Sequence, residues 1–438
     1  MENNEEFFDA FETIEQLNHS ILKEPDEDRV LFFTDRPKQR KLSQSSQDLA
    51  EYKTDLVLPS QKTELFSWTT LNLVKKNNKD IKEFSGLEIV QELQIRNQKN
   101  WVMKFSPDSK YFIMAGESPV IQVFKVSGKV TEKSLGLLGE VEDYNGHEQS
   151  VIDVEWDQSS EAFLSCGVDC LVLYWRVGHS IPTKQFVHDH IVTCIGFSPK
   201  NSCLFFTGSL SKKLTFWALP EGNVENMYQI KGLITSAKFS PEANILALGL
   251  SHGECILYEV HNAVITFLTQ LDCKNRKGFK SNGKKVTNIS FQDDQYILIC
   301  TNDSRIRLFS LQTFSLLQKY KGGKCEQYPI GSAFSHNFIH VIRGSEDGSV
   351  YIWNTFKTES KSRWKLAFKG IKNSSYEYFN IKKQKSCSNA IFSTSEIVKN
   401  VQNELIFDGS EIIISHIILV SCSGKLYVLY NQFKNVPW

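Results

Sequence analysis

The amino-acid sequence predicts an all-β fold in which seven similar units form a seven-bladed β-propeller. From Trp101 onward one pattern recurs: two apolar segments, a Gly/Ser/Asp turn, and a third segment that ends at an aromatic residue. The residues that end the third segments are Phe124, Trp175, Trp217, Tyr258, Phe309, Trp353 and, in the last unit, Leu429. Five of the six intervals between them are 41 to 51 residues, close to the length of one propeller blade. The apolar residues alternate with the period of a strand, which excludes a helical repeat.

The chain divides into three predicted parts. Residues 1–28 form an acidic tail, residues 29–85 a polar linker that we expect to be mostly disordered, and residues 86–438 the propeller. Only nine residues follow Leu429, which leaves little sequence for the outer strand of the seventh blade. The segment 87–95 is expected to supply that strand, because joining the two ends of the ring removes exposed sheet edges.

The composition is typical of a folded globular protein. Hydrophobic residues make up 41% of the 438 residues and charged residues 23%. The 50 basic and 50 acidic side chains cancel, which argues against a surface built for nucleic acid. Residues 1–95 hold 19 acidic against 12 basic side chains, so the remainder of the chain is basic. The two parts therefore differ electrically.

The ten cysteines form no pair of C-x-x-C motifs, so neither a zinc site nor a disulfide framework is expected. Cys194 and Cys300 stand inside apolar runs, as reduced cysteines in a reducing compartment do. The first residues are acidic, and the longest apolar run, residues 412–420, is interrupted by Ser415 and His416. We therefore expect no signal peptide and no membrane span.

The second unit contains Gly146-His147, Asp169 and Trp175, and the sixth contains Gly344-Ser345, Asp347 and Trp353. With these residues the stretch resembles WD40 repeats. In that family, His, Asp and Trp at such places hold a blade together by buried hydrogen bonds. The resemblance assigns this structural role to His147, Asp169, Trp175, Trp217, Asp303, Asp347 and Trp353. It implies stability at these positions and no chemistry.

The sharpest local signal lies in the acidic tail. The positions Glu6, Phe7, Phe8, Asp9, Ala10 and Glu12 match the FFAT motif, two phenylalanines in an acidic tract. A disordered acidic tail is steered to a basic surface, where adjacent aromatic rings anchor in apolar pockets. The resemblance implies binding to the MSP domain of VAP proteins on the endoplasmic reticulum. In the alternative reading, the tail is an amphipathic helix that docks on the propeller.

A basic insertion between the fourth and fifth units is a second candidate site. Its cations are Lys274, Arg276, Lys277, Lys280, Lys284 and Lys285. Such a loop can bind phosphates, an acidic partner or an anionic membrane surface. A second basic stretch, residues 355–386, holds nine Lys or Arg against Glu359 and Glu377, and the two form one positive patch if they lie on the same rim. The alternative is a solvated loop without a ligand.

Other motifs carry weaker signals. Arg40 lies three residues before Ser43, which makes Ser43 a candidate phosphorylation site for basophilic kinases. Gly249-Leu-Ser-His-Gly253 fits the G-x-S-x-G pattern of hydrolases but aligns with the hairpin turns of other units. His188 precedes the third unit as His147 precedes the second, so we expect a structural histidine there and no metal ligand. We expect no catalytic residue, metal or cofactor.

A more specific resemblance rests on four segments. These are residues 301–309, 319–322, 333–336 and 344–353, and together with the tail motif they resemble the WD repeat-containing protein 44 family, also called rabphilin-11-like proteins. The resemblance implies an effector of the recycling-endosome Rab GTPase. The N-terminal part is shorter than in the animal members, lacks their Pro-rich tract, and contains no segment that aligns with their Rab-binding region.

These observations together predict a non-enzymatic adaptor in endosomal membrane traffic. The expected partners are a VAP-type MSP-domain protein, a Rab GTPase of recycling endosomes by resemblance, and an anionic membrane surface; nucleic acid is not expected. The expected location is cytoplasmic, peripheral at endoplasmic reticulum and endosomal membranes. The alternative is a WD40 substrate receptor or scaffold of a ubiquitin-ligase or nuclear complex.

Overall fold

Seven β-sheets form a closed ring in the part of the chain that begins at Phe66. A computed structural model describes residues 69–70, 74–97, 99–131, 134–274, 283–357, 370–381, 389–407 and 413–433. The innermost strands of successive sheets contact one another, and that of the seventh sheet contacts that of the first. The predicted seven-bladed β-propeller is confirmed.

The first four blades are four-stranded antiparallel sheets. Their strands, from the centre of the ring outward, are Asn100–Phe105, Tyr111–Gly116, Ile121–Thr131 and Ser134–Tyr144 in blade one, and Val151–Trp156, Ala162–Gly167, Leu171–Arg176 and Lys184–Val187 in blade two. Blade three has Val192–Ser198, Asn201–Ser209, Lys213–Ala218 and Asn223–Gln229, and blade four has Ile234–Phe239, Ile245–Leu250, Glu254–His261 and Val264–Asp272.

The last three blades each have a fifth strand on the outer edge. Blade five contains Val286–Gln292, Tyr296–Thr301, Arg305–Ser310, Leu316–Tyr320 and, in parallel, Ile371–Asn373. Blade six contains Ser332–Phe334, His340–Arg343, Ser349–Asn354, Tyr376–Asn380 and Lys75–Asn77. Blade seven contains Asn389–Phe392, Ile413–Cys422, Lys425–Phe433, Leu87–Gln94 and Thr69–Thr70.

The hydrophobic core lies between the blades. Blade five shows the pattern: Ile299 and Phe309 pack toward blade four, whereas Leu298 and Leu308 pack toward blade six. Alternate residues of a strand point to opposite faces, so a sheet that is covered on both sides reads as a nearly continuous apolar run. Full burial of one such side chain contributes about 1.5 to 3 kcal/mol.

The ends of the described chain meet in blade seven. Leu87–Gln94 pairs antiparallel with Lys425–Phe433, so an N-terminal strand forms the fourth strand of a sheet whose first three strands come from the C-terminal end. The ring therefore has no open seam between its first and last units. Closure of this kind removes two sheet edges that would otherwise expose unpaired backbone groups.

The linker predicted for residues 29–85 needs correction at its C-terminal end. Lys75–Asn77 is a strand on the edge of blade six, and Phe84 is fully buried between blades six and seven. Backbone groups make the edge pairing, so lysine and asparagine side chains can point to solvent there and leave no apolar signal in the sequence. Residues 29–68 of this predicted linker lie outside the described residues.

One helix, Ser395–Phe407, interrupts blade seven and was absent from the sequence prediction. Thr394 precedes it, and its side-chain oxygen accepts a hydrogen bond from the Ile397 amide at 3.4 Å, as an N-cap residue does. Ile397, Val401 and Leu405 are buried in the core that blades one and seven share. Their spacing of four is a helical signal that the β-repeat reading passed over.

Candidate functional site

Blade two contains a buried chain of four hydrogen-bonded side chains. The Nδ1 of His147 lies 2.8 Å from the Asp169 Oδ2, and its Nε2 lies 2.7 Å from the Ser165 Oγ. The indole N–H of Trp175 donates to the same Ser165 Oγ at 2.8 Å. Partial burial raises the pKa of Asp169. The hydrogen bond with His147 and those from the backbone amides of Glu148 and Leu171 outweigh burial, so the pKa of Asp169 is lowered. These bonds join the second and third strands of blade two to the loop that precedes its first strand.

Blade three keeps part of this chain. The His188 Nε2 lies 2.9 Å from the Thr207 Oγ1, and the Trp217 indole N–H donates to that oxygen at 3.0 Å. Ser211 stands where blade two has Asp169, so the carboxylate is missing. Burial lowers the pKa of His188, which keeps the ring neutral in this structural role.

Blades five and six use other partners at the same places. Asp303 accepts a hydrogen bond from the Arg307 Nη2 at 2.8 Å, and Asp347 accepts one from the Tyr351 hydroxyl at 2.7 Å. The Trp353 indole donates to the Lys321 carbonyl at 3.0 Å. All seven residues that the resemblance marked as structural therefore lie within or beside blade hydrogen bonds.

A charged network links the innermost strands of blades one, two and four, and sequence reasoning did not find it. The Lys104 ammonium lies 2.9 Å from the Asp153 Oδ1 and 2.6 Å from the Glu155 Oε2. The Lys238 ammonium lies 2.8 Å from the Glu155 Oε1, so blades two and four are in direct contact although blade three lies between them in the ring. Burial opposes ionisation of Glu155, but the two lysines outweigh it and lower its pKa to about 2. The two lysines neutralise the two carboxylates, so the network links the three blades without a net charge.

The basic insertion is only partly described. At its start, the Lys274 ammonium lies 2.6 Å from the Glu254 Oε1, and Lys284 and Lys285 lie just before blade five. Arg276, Lys277 and Lys280 lie outside the described residues. The second basic stretch contributes the strand Ile371–Asn373, which pairs with Leu316–Tyr320 at the outer edge of blade five.

Glu377, one of the two acids that the sequence sets against the cations of that second stretch, is fully buried. Its Oε1 accepts hydrogen bonds from the Lys79 ammonium at 2.6 Å and from the Glu83 amide at 2.9 Å. Its Oε2 accepts one from the Phe84 amide at 3.0 Å. Glu377 therefore anchors the N-terminal segment to blade six and does not offset the basic surface.

A histidine cluster lies where that segment passes between blades six and seven. The ring of His416 lies 5.1 Å from that of His340 and 5.3 Å from that of His336. The His340 Nε2 bonds to the Glu83 Oε2 at 2.5 Å. Neither ring nitrogen of His416 has a hydrogen-bond partner among the described residues, and burial beside the other two histidines lowers its pKa to about 3.

The remaining predicted sites divide into two groups. The tail positions 6–12 and Ser43 lie outside the described residues. The Gly249–Gly253 segment is a hairpin turn, in which the Gly253 amide donates to the Leu250 carbonyl at 3.3 Å. A nucleophile elbow requires a strand that turns into a helix, so this segment is not one.

Neither a metal centre nor a membrane-spanning helix occurs in the described ranges. No group of three His, Cys, Asp or Glu side chains is placed to hold a metal ion there. None of the helices in that part of the chain is long and apolar enough to cross a membrane.

Comparisons with known proteins identify the repeat. Residues 139–176 and 181–218, which are blades two and three, match the WD domain, G-beta repeat model. The chain is 29% identical over 330 residues to WD repeat-containing protein 44 of Xenopus laevis, an alignment that covers 64% of this chain and 36% of the frog protein. It is 25% identical over 278 residues to an uncharacterized WD repeat-containing protein of Schizosaccharomyces pombe, covering 58% of this chain and 47% of the yeast protein.

The chain thus spans less than half the length of these two relatives. Its similarity to WD repeat-containing protein 44 agrees with the resemblance that the sequence segments indicated. A WD40 β-propeller is typically a non-enzymatic scaffold for protein interactions, and the fold and the relatives support a protein-binding scaffold here.

Proposed function

We propose that this WD40-repeat protein, which is similar along its propeller to WD repeat-containing protein 44, is an adaptor in endosomal membrane traffic. Its acidic tail binds a VAP-type MSP domain on the endoplasmic reticulum, and its remaining part binds a Rab GTPase of recycling endosomes. Such an adaptor works on the cytoplasmic side of both membranes. The observation that carries the proposal is the joint occurrence of an FFAT match at residues 6–12 and a closed propeller from residue 69 onward.

The chemistry of the tail supports its share of the proposal. Residues 1–12 contain five acidic side chains and no basic one, which favours rapid encounter with a basic surface. The adjacent rings of Phe7 and Phe8 then supply the apolar area on which short linear ligands depend for affinity.

For the proposed binding of a Rab GTPase, the propeller offers support only through its similarity to known proteins. The side chains of His147 and Trp175 are engaged in blade hydrogen bonds, so they are not available to a partner. Similarity to WD repeat-containing protein 44 suggests the Rab GTPase, and no residue of this chain is assigned to that contact.

Replacing Phe8 by alanine should weaken binding of the full chain to a purified MSP domain at least about 100-fold, because a buried anchoring aromatic contributes about 3 kcal/mol or more. Titration calorimetry measures this directly. Phe33→Ala is the matched control, since Phe33 also follows another phenylalanine, but Val30, Leu31 and Thr34 adjoin that pair where Glu5, Glu6 and Asp9 adjoin the pair in the tail. Full affinity in the Phe8→Ala protein would remove the tail from the proposed function.

A further inference from the structure

Blade five carries a row of cations across its three outer strands, Arg305–Ser310, Leu316–Tyr320 and Ile371–Asn373. Arg307 lies opposite Lys319 in the neighbouring strand, and Lys319 lies opposite Lys372 in the strand beyond. Partners in register point to the same face of a sheet, and strands are about 4.8 Å apart, so the row spans about 10 Å. Arg305 is two residues from Arg307 and shares that face.

Arg307 takes part in the hydrogen bonds of its own blade through Asp303, but a cation opposite it, as Lys319 is, does not recur in blades two, three and four. The corresponding pairs in blades two, three and four are Leu173–Gln185, Thr215–Met227 and Ile256–Gln270. Like charges directly opposite one another destabilise a sheet. A row that costs stability and is absent from neighbouring blades indicates a binding role.

Most of the row lacks an internal counter-ion. Arg307 is buried and bonds to Asp303, with 2.8 Å between Nη2 and Oδ2. Among the described residues, no carboxylate forms an ion pair with the side chains of Arg305, Lys319 or Lys372, and Lys372 is exposed. Blade five therefore presents, on its face toward blade four, three positive charges with which no carboxylate of the described residues forms an ion pair.

The ionisation of Lys319 agrees with this geometry. Partial burial lowers its pKa, and the neighbouring guanidinium groups of Arg307 and Arg305 lower it further. Asp272 and Asp303 act in the opposite direction and do not restore it. Lys319 thus lies in a positive field that a bound anion would relieve.

We infer that Arg305, Lys319 and Lys372, supported by Arg307, form a binding site for a ligand with two or more phosphate groups of the inositol-phosphate type. One phosphate is too small to contact a row of about 10 Å, whereas phosphates arranged around a six-membered ring reach successive strands. Arginine and lysine donate charge-assisted hydrogen bonds to phosphate oxygens. The site is separate from the tail and does not depend on the proposed adaptor function.

The test is titration calorimetry of the full chain with inositol hexakisphosphate, together with flotation on vesicles that contain a bisphosphorylated phosphatidylinositol. Arg305→Gln/Lys319→Gln should weaken binding about thirtyfold, since each nearby cation contributes about 1 kcal/mol. The matched control is Lys125→Gln/Arg176→Gln, which removes two exposed cations from blades one and two. It should change affinity less than about twofold because neither side chain is near the row.

Each outcome decides the inference. Binding of both probes with the expected sensitivity identifies a lipid headgroup, and binding of the soluble probe alone identifies a free polyphosphate. Unchanged affinity in the blade-five variant would assign binding to the basic insertion and overturn the site. An equal loss of affinity in the control variant would show that binding depends only on net charge and would overturn the site. Selective binding of a peptide of residues 1–28, with no binding of either probe, would overturn the ligand class.

Discussion

Replacing Glu377 by alanine should lower the free energy of unfolding by about 4 kcal/mol. The fully buried carboxylate accepts hydrogen bonds from the Lys79 ammonium and from the amides of Glu83 and Phe84. Its removal leaves two amides without their acceptor, and it leaves the nearly buried Lys79 ammonium with only the Glu83 carboxylate, 3.1 Å away, as an anionic partner among the described residues. Urea denaturation followed by tryptophan fluorescence should therefore show a clearly lower midpoint.

Two further variants test this explanation. Glu377→Gln keeps the shape and one acceptor oxygen, so its midpoint should lie between those of the wild type and Glu377→Ala. Glu140→Ala removes an exposed carboxylate on the outer strand of blade one and should change stability by less than about 0.5 kcal/mol. A Glu377→Ala protein as stable as the Glu140→Ala control would contradict the anchoring role of the N-terminal segment.

The protein should lose about 2 kcal/mol of stability between pH 7 and pH 5 through His416 alone. Burial beside two other histidines lowers the pKa of His416 to about 3, whereas an unfolded chain has the ordinary value near 6.5. Between these values the unfolded chain binds a proton that the folded chain does not, so the free energy of unfolding falls as the pH falls. The contribution is complete above about pH 6.5 and is lost toward pH 3.

Other titratable groups around the histidine cluster also change the free energy of unfolding with pH. Burial also lowers the pKa values of His336 and His340, which adds to the acid sensitivity. Hydrogen bonds to His340 and Lys79 lower the pKa of Glu83 to about 2 despite burial, so its contribution is lost only below about pH 4.5. Lys399 and Glu377 are the remaining charges that act on the histidines.

Denaturation midpoints at several pH values measure the effect. His416→Phe should reduce the change between pH 7 and pH 5, because phenylalanine does not titrate and the ring packs beside Phe84 and Phe392. His261→Gln, which alters an exposed histidine, should leave the change intact. A wild-type stability that stays constant or rises as the pH falls to 5 would contradict the buried neutral histidine.

The seven blades could be predicted because each unit contains its own signal. Trp175, Trp217 and Trp353 each end the third strand of a blade, and the pairing of Leu87–Gln94 with the last strand followed from a missing outer strand. These features depend on local alternation and on counting strands. Both are available in a single sequence.

The features that the sequence did not predict join residues that are distant in the chain. Lys104, Glu155 and Lys238 come from three blades, and their signs become complementary only after the ring has formed. Glu377 looks like a solvated acid because its amide partners have no side-chain signature. The edge strands Lys75–Asn77 and Ile371–Asn373 are too short and polar to show a period.

The measurement that tests the adaptor most directly is a bridging capture. Immobilised MSP domain is incubated with the full chain and with recycling-endosome Rab GTPase loaded with a GTP analogue or with GDP. The account predicts that the GTP-analogue form is retained with the wild-type chain, and that neither form is retained with Phe8→Ala or without the chain. If the MSP domain retains the wild-type chain but neither form of the added Rab GTPase is captured with it, the account is contradicted.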